Sequence, residues 1–169
     1  PGDNILVTDY MHQHFHVPEA NLGMITGPCH AEEIALERLS YLTLGCKDTA
    51  NATEWQKLFD TPYVRTTPSN DMKGLEYASV MKNIYAIAAG MCTSLRYGDN
   101  FQAVLLTNAM HEIVRFTKAV SDIPRDITDS GYLGDVLVTA YSNFSRNRQF
   151  GQMIGMGYSV KAAQTEMEM

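Results

Sequence analysis

From residue 71 to residue 95 the chain runs without a proline, and Leu75, Val80, Ile84, Ile87 and Ala88 recur at helical spacing. That pattern predicts one long buried helix, because a strand alternates with period two and is closed far sooner by turn residues. Residues 100–117 repeat the behaviour with Val104, Leu105, Ala109, Ile113 and Phe116. Shorter helices are predicted over 125–128, 133–139, 145–154 and 159–168.

Before residue 68 the texture differs. Leu6, Tyr10 and His14, with Val7, Met11 and Phe15, suit a short amphipathic helix. Residues 22–26 form an apolar run closed by Gly27-Pro28, the mark of a strand and turn. A helix follows over 30–38, with Glu32 and Glu33 near its start, where the helix dipole favours acids. Then come a strand over 41–44 ending at Gly45, a helix over 50–59 with Trp55, Leu58 and Phe59, and a strand over 63–66. Strands alternating with helices are the texture of an α/β unit. The expected fold is therefore mostly α. An α/β tail over 1–68 precedes an all-helical domain over 69–169, with no internal repeat.

With 45% hydrophobic residues, a packed core is expected rather than disorder. The 13 basic and 19 acidic residues leave a charge of −6, which argues against a nucleic-acid or anionic-membrane surface. The longest apolar stretch, 84–92, is interrupted by Gly90 and is too short for a bilayer. The polar Pro1-Gly2-Asp3 opening does not resemble a secretory leader. Cys29, Cys46 and Cys92 are too scattered for a disulfide framework or a zinc spacing, so a reducing cytoplasm and no metal are expected. The chain opens without an initiator Met and stops at Met169 without a terminal signal, which reads as a fragment.

Several residue groups could carry chemistry. Lys82 lies among Val80, Met81, Ile84 and Ala86. A desolvated amine there suits general acid–base work, and a snorkelling lysine at the edge of an apolar face is the alternative. Asn83 points about 100° away around the same helix, so it can flank a ligand but not mirror its neighbour. Asp135 follows Gly134 in Ser130-Gly131-Tyr132-Leu133-Gly134-Asp135, where it either caps a helix or orients the Lys82 ammonium. Thr139 lies one turn on, on the same face.

Ser145-Arg146-Asn147-Arg148 begins a helix, and a helix start with a hydroxyl, an amide and two guanidiniums suits a phosphate. A capped, solvated helix start is the alternative. Gly27-Pro28-Cys29-His30-Ala31 lies at a strand–helix junction, a common ligand position, but no His–Asp relay makes Cys29 a nucleophile. His12, His14 and His16 look like a metal comb, yet no Cys or carboxylate cluster completes a site. Gly151, Gly155 and Gly157 do not spell a nucleotide loop and instead suggest a helix end and turn.

Together these motifs resemble the bacterial NAD(P)-dependent glycerol-3-phosphate dehydrogenase family over about residues 23–157. Gly27-Pro28 with Ala31-Glu32-Glu33 resembles the family's GPS-x-AEE segment. Gly74-Leu75-Glu76 through Lys82-Asn83 to Ala86-Ile87-Ala88-Ala89-Gly90 resembles its G-x-E…KN…AIAAG helix. Gly98-Asp99-Asn100, Leu133-Gly134-Asp135 and Ser145-Arg146-Asn147-Arg148 resemble its GDN, LGD and SRNR motifs.

The resemblance implies a Rossmann domain ending near residue 68 and a helical substrate domain after it, truncated at Met169. It also implies interconversion of dihydroxyacetone phosphate and sn-glycerol 3-phosphate with NAD or NADP, for glycerophospholipid synthesis. Lys82 would exchange the proton. Gly27, Cys29, Asn83, Asp135, Thr139, Ser145, Arg146 and Asn147 would line the substrate site; Ala31 and Arg146 would touch the cofactor. The resemblance allows a homodimer without requiring one.

Three departures stand out. Cys29 replaces a serine, Ala78-Ser79 replaces a common Gly-Gly, and no G-x-G-x-x-G fingerprint is present. The chain alone is therefore expected to be inactive and to bind NAD(P)H weakly. Two other readings remain: a hydroxy-acid dehydrogenase of the 6-phosphogluconate dehydrogenase superfamily, and a non-catalytic helical interaction domain. The second requires Lys82 and Asp135 to lie far apart.

Overall fold

A computed structural model describes residues 5–168. The order is α1 (Val7–Phe15), β1 (Gly23–Thr26), α2 (Ala31–Ala35), β2 (Ser40–Cys46), α3 (Thr49–Phe59), β3 (Val64–Ser69), α4 (Met72–Ser94) and α5 (Gly98–Val120). A π-helical turn, Ser130–Gly134, then runs directly into α6 (Asp135–Tyr141), followed by α7 (Arg146–Gly155) and α8 (Val160–Glu166). The molecule is mostly helical with one small sheet.

The sheet has the order β1-β2-β3. β1 and β2 are antiparallel, with Gly23 opposite Cys46 and Thr26 opposite Thr43. β2 and β3 are parallel, and α3 forms the crossover between them, as a parallel pair requires. β3 lies at the sheet edge, where Pro68 removes no ladder bond that the sheet needs. A small cluster of Leu44, Cys46 and Ala52, with Trp55 against it, binds α3 to the sheet.

The helices begin where side-chain acceptors cap them. Asp48 accepts from Ala50 N–H (2.9 Å), Asp71 from Gly74 N–H (3.0 Å), Ser145 from Arg148 N–H (3.3 Å) and Ser159 from Ala162 N–H (3.2 Å). The main core joins Leu75, Ala78, Tyr85 and Ala89 of α4 to Leu106, Ala109 and Ile113 of α5, and to Tyr132, Val136 and Ala140. Glu76, buried on α4, accepts from the N–H groups of Val7 (2.5 Å) and Thr8 (3.2 Å) and so anchors the start of α1 to the bundle.

The expected helix over 125–128 is absent. Arg125 instead turns inward and bonds Asp71 through Nε (2.5 Å) and Nη2 (3.2 Å), while Tyr132 donates to the same carboxylate. The faces of the long helices also differ from the sequence reading: Val80, Ile84, Val104 and Phe116 are exposed. Gln102, Leu106 and Thr117 occupy the inner side of α5. The helix expected over 30–38 is confined to Ala31–Ala35, and Glu37 turns out of it at φ 54°.

Burial works against the charge on Asp71, but bonds from Arg125, Tyr132 and Gly74 N–H outweigh it and hold the carboxyl below its ordinary range. A depressed folded-state value contributes stability that is present above the unfolded value. That stability is lost as pH falls through the folded one. Asp71→Asn should therefore cost about 3 kcal/mol at pH 7, as breaking a buried pair does. Urea denaturation should show this gap narrowing below about pH 4. A gap of constant size at every pH would contradict the assignment.

Candidate active site

β1 delivers Thr26, and Gly27 then turns at φ 120°, a left-handed conformation that suits a residue without Cβ. The turn aims the Gly27 N–H at Asp135 Oδ2 (3.2 Å). Thr26 Oγ1 donates to the same oxygen (2.7 Å) and is itself 2.9 Å from Ser79 Oγ on α4. One turn further along α4, Lys82 Nζ reaches both carboxylate oxygens of Asp135, at 2.7 and 2.6 Å. The lysine side chain keeps 21% of its surface and the aspartate 3%. A buried carboxylate thus grips an ammonium whose other side faces open space.

Asp135 does not cap a helix. Gly134 is already helical at φ −59°, ψ −44°, so the π-helical turn and α6 are continuous. The backbone at Gly134 is thus ordinary helix, and Gly131 packs against Thr43 and Leu75. Thr139 folds back onto the Asp135 carbonyl (2.6 Å). Its role in the fold is local, although it lines the cleft.

α7 supplies the opposite wall. Ser145 caps it, and the first backbone ring closes from Gln149 N–H to Ser145 O (3.0 Å), leaving the first-turn N–H groups of Arg146 and Asn147 at the helix start. Asn147 Nδ2 donates to Asn83 Oδ1 (2.9 Å), and Asn83 Nδ2 donates to Ser79 O (3.1 Å). Asn83 is thereby the strut between α4 and α7. Arg146 Nη2 bonds Met167 O (3.0 Å), while Arg148 bonds Asn143 Oδ1 (3.1 Å).

Gly27, Cys29, Lys82, Asn83, Asp135, Thr139, Ser145, Arg146 and Asn147 line one cleft of about 210 Å³. Every residue expected at a substrate site is on its wall. Ala31 is the exception among the expected contacts: it is exposed at the start of α2, outside the lining. His30, Val138 and Phe144 also line the cleft, and the His30 ring sits 5.8 Å from that of Phe144. Neither aromatic ring was expected there. The one signal for His30 was its place in the strand–helix junction, and Phe144 had only its adjacency to Ser145.

The thiol of Cys29 is pushed up by burial and by the Asp135 carboxylate, with Lys82 opposing in part. Near neutral pH it is a protonated wall of the cleft, not a nucleophile. The Lys82–Asp135 pairing is the opposite of what a non-catalytic interaction domain requires. Among the described residues, no group of three or more His, Cys, Asp or Glu side chains could hold a metal ion. No helix there is long and apolar enough to cross a membrane.

The sequence model described as the NAD-dependent glycerol-3-phosphate dehydrogenase C-terminus matches residues 71–169. A glycerol-3-phosphate dehydrogenase [NAD(P)+] of Syntrophomonas wolfei is 38% identical over 147 residues, covering 87% of this chain and 43% of that protein. One from Staphylococcus aureus is 35% identical over 150 residues, covering 89% and 45%. The chain thus spans less than half the length of these relatives. Among solved structures, a glycerol-3-phosphate dehydrogenase of Coxiella burnetii superposes with a TM-score of 0.82 at 30% identity, covering 87% of this chain and 45% of that one. The Dunaliella salina structure DsGPDH gives 0.86 at 26% identity, covering 96% and 28%.

Proposed function

The chain belongs to the NAD-dependent glycerol-3-phosphate dehydrogenase family, and on that premise we propose that it forms the proton-transfer and phosphate-holding part of an enzyme interconverting dihydroxyacetone phosphate and sn-glycerol 3-phosphate. Residues 1–68 are read as the C-terminal part of an NAD(P)-binding domain and 69–169 as the substrate domain, since β3 ends at Ser69 and α4 starts at Met72. The observation that carries the reading is the Lys82 ammonium held by a buried carboxylate on the wall that Arg146 and the start of α7 complete.

NAD(P)H, when bound, supplies a hydride to the ketone carbon. Lys82 gives its proton to the ketone oxygen in reduction and takes it back in oxidation, while Asp135 stays ionised and fixes the amine in place. Arg146, with the first-turn N–H groups of α7, grips the phosphate and orients the reacting carbon from a distance.

The donor set fits the substrate more fully than the dinucleotide. Lys82 and Arg146 match a carbonyl and a phosphate, whereas no glycine-rich strand–turn–helix for a pyrophosphate occurs in the sequence. Of the chain's own residues, Ala31 and Arg146 would meet the cofactor. Accordingly, the 169-residue chain by itself should show no turnover and only weak quenching on titration with NADH or NADPH; measurable turnover would overturn this.

In the full-length protein, Arg146→Ala should raise KM for dihydroxyacetone phosphate by about 10- to 100-fold, the worth of a charge-assisted bond. Steady-state assays on phosphorylated and unphosphorylated ketones test it. Equal activity on both, in the parent and in Arg146→Ala, would favour a hydroxy-acid dehydrogenase instead.

A further inference from the structure

Asp135 accepts four hydrogen bonds, and two come from neutral groups: the hydroxyl of Thr26, which lies behind the cleft wall, and the N–H of Gly27, which lies on it. An ionised carboxylate only accepts, so the single hydroxyl proton of Thr26 points at Asp135 Oδ2. Thr26 then has only lone pairs to offer Ser79, 2.9 Å away, and Ser79 must be the donor between them. The hydrogen bonds therefore run one way, from Ser79 to Thr26 to Asp135. Thr26 is 6% exposed and Asp135 2%, so water does not substitute freely for either partner.

We infer that Ser79 and Thr26 are positioning residues for proton transfer, holding the Asp135 carboxylate ionised at the moment when Lys82 is neutral. The inference rests on the reading of Lys82 as the proton-transfer group. In ketone reduction one N–H bond of the Lys82 ammonium breaks as the substrate O–H forms, and the oxygen supplies the electron pair that binds the proton. What remains beside Asp135 is an uncharged amine. At that point the buried negative charge keeps the Thr26 hydroxyl and the Gly27 N–H as its strongest fixed donors. Those donors favour the state after transfer more than the state before it, where the ammonium already satisfies the carboxylate. In oxidation the neutral amine is the starting state, and the same donors keep it populated and ready to accept the substrate proton. The phosphate-binding wall, built from α7, is untouched by this chain of hydroxyls.

The test is a set of variants of the full-length enzyme, assayed for kcat and KM with dihydroxyacetone phosphate and checked for folding by circular dichroism. Thr26→Val should lower kcat by about tenfold or more, with KM changed by no more than about twofold. Thr26→Ser keeps the hydroxyl and should restore kcat to within about threefold of the parent. Ser79→Ala, on the half-buried side of the relay, should lower kcat by about threefold on its own and have no further effect in the Thr26→Val background. If Thr26→Val fails to fold, the kcat loss and unchanged KM of Ser79→Ala carry the test. An undiminished kcat in Thr26→Val, equal damage in Thr26→Ser, or additive losses in the double variant would overturn the inference. A parent enzyme without turnover would refute the reading of the site and this inference together, whereas a parent rate that these variants leave intact refutes the inference alone.

Discussion

Lys82→Ala in the full-length enzyme should lower kcat by about 10³, within the range that a positioned general acid contributes. Lys82→Arg should not rescue it, because a guanidinium does not release its proton near neutral pH and its fork cannot reproduce a single ammonium above one carboxylate. The loss has a second component that belongs to folding. Removing the amine leaves Asp135, 3% exposed, with only Thr26 and Gly27 as donors. An unpaired buried charge costs about 3–5 kcal/mol, and since Lys82 keeps 21% of its side chain in solvent, ~2 kcal/mol is the better expectation. The two components separate in a double variant. Lys82→Met with Asp135→Asn removes both charges and should regain most of the lost stability in urea denaturation, yet remain as inactive as Lys82→Ala. A double variant that recovers turnover along with stability would show that the lysine serves the fold and not the chemistry.

The sequence revealed elements better than faces. Proline-free runs and helical apolar spacing located most helices within a few residues because those signals are local, and the structure adds Asp48, Asp71, Ser145 and Ser159 as the caps at which four of them begin. The buried side of α4 was not legible. Alanine, methionine and isoleucine surround most of that helix, so apolar spacing alone could not prefer Ala78, Ala86 and Ala89 over Val80 and Ile84. The 125–128 error has a different cause. Arg125 reads as a helix former, but its long-range bond to Asp71, 54 residues away in sequence, decides its conformation.

For the site the same division holds. Lys82 and Asp135 are separated by 53 residues, so no local spacing announces the pair. It was the joint occurrence of Lys82-Asn83, Gly134-Asp135 and the 145–148 run that suggested a common cleft. Thr26 carried no signal, and Ser79 stood out only as part of the Ala78-Ser79 departure from a Gly-Gly pair, because a hydroxyl on a strand and one on a helix are individually commonplace.

Gly151 shows how a packing role hides in sequence, and Gly151→Val should have the largest effect on stability of any change away from the charged groups. Gly155 ends α7 and Gly157 turns beyond it at φ 98°, as a helix end requires, but Gly151 lies inside the helix against α4. A Cβ there would stand 2.0 Å from the Ile87 carbonyl oxygen, and one at Gly90 would stand 2.0 Å from that of Arg148. Both obstacles are backbone, so no rotamer relieves them. Ordinary contact begins at 3.4 Å, so the two helices would have to separate by about 1.4 Å. Overpacking of this kind costs about 3 kcal/mol or more, and better helix propensity returns less than 1 kcal/mol of it. For a domain of this size the melting temperature should fall by about 6–12 °C. The Asn147–Asn83 bond (2.9 Å) and the Ser94–Gln152 bond (2.8 Å) bridge the same crossing, so Arg146 would be carried away from Lys82 as well. Activity should consequently suffer first in KM. Gly134→Ala is the control, since a Cβ there meets nothing closer than 3.4 Å and the backbone is already helical. If Gly151→Val melts with the parent while Gly134→Ala does not, α4 and α7 do not cross at these glycines, and the wall that presents Arg146 to the cleft must be held by something else.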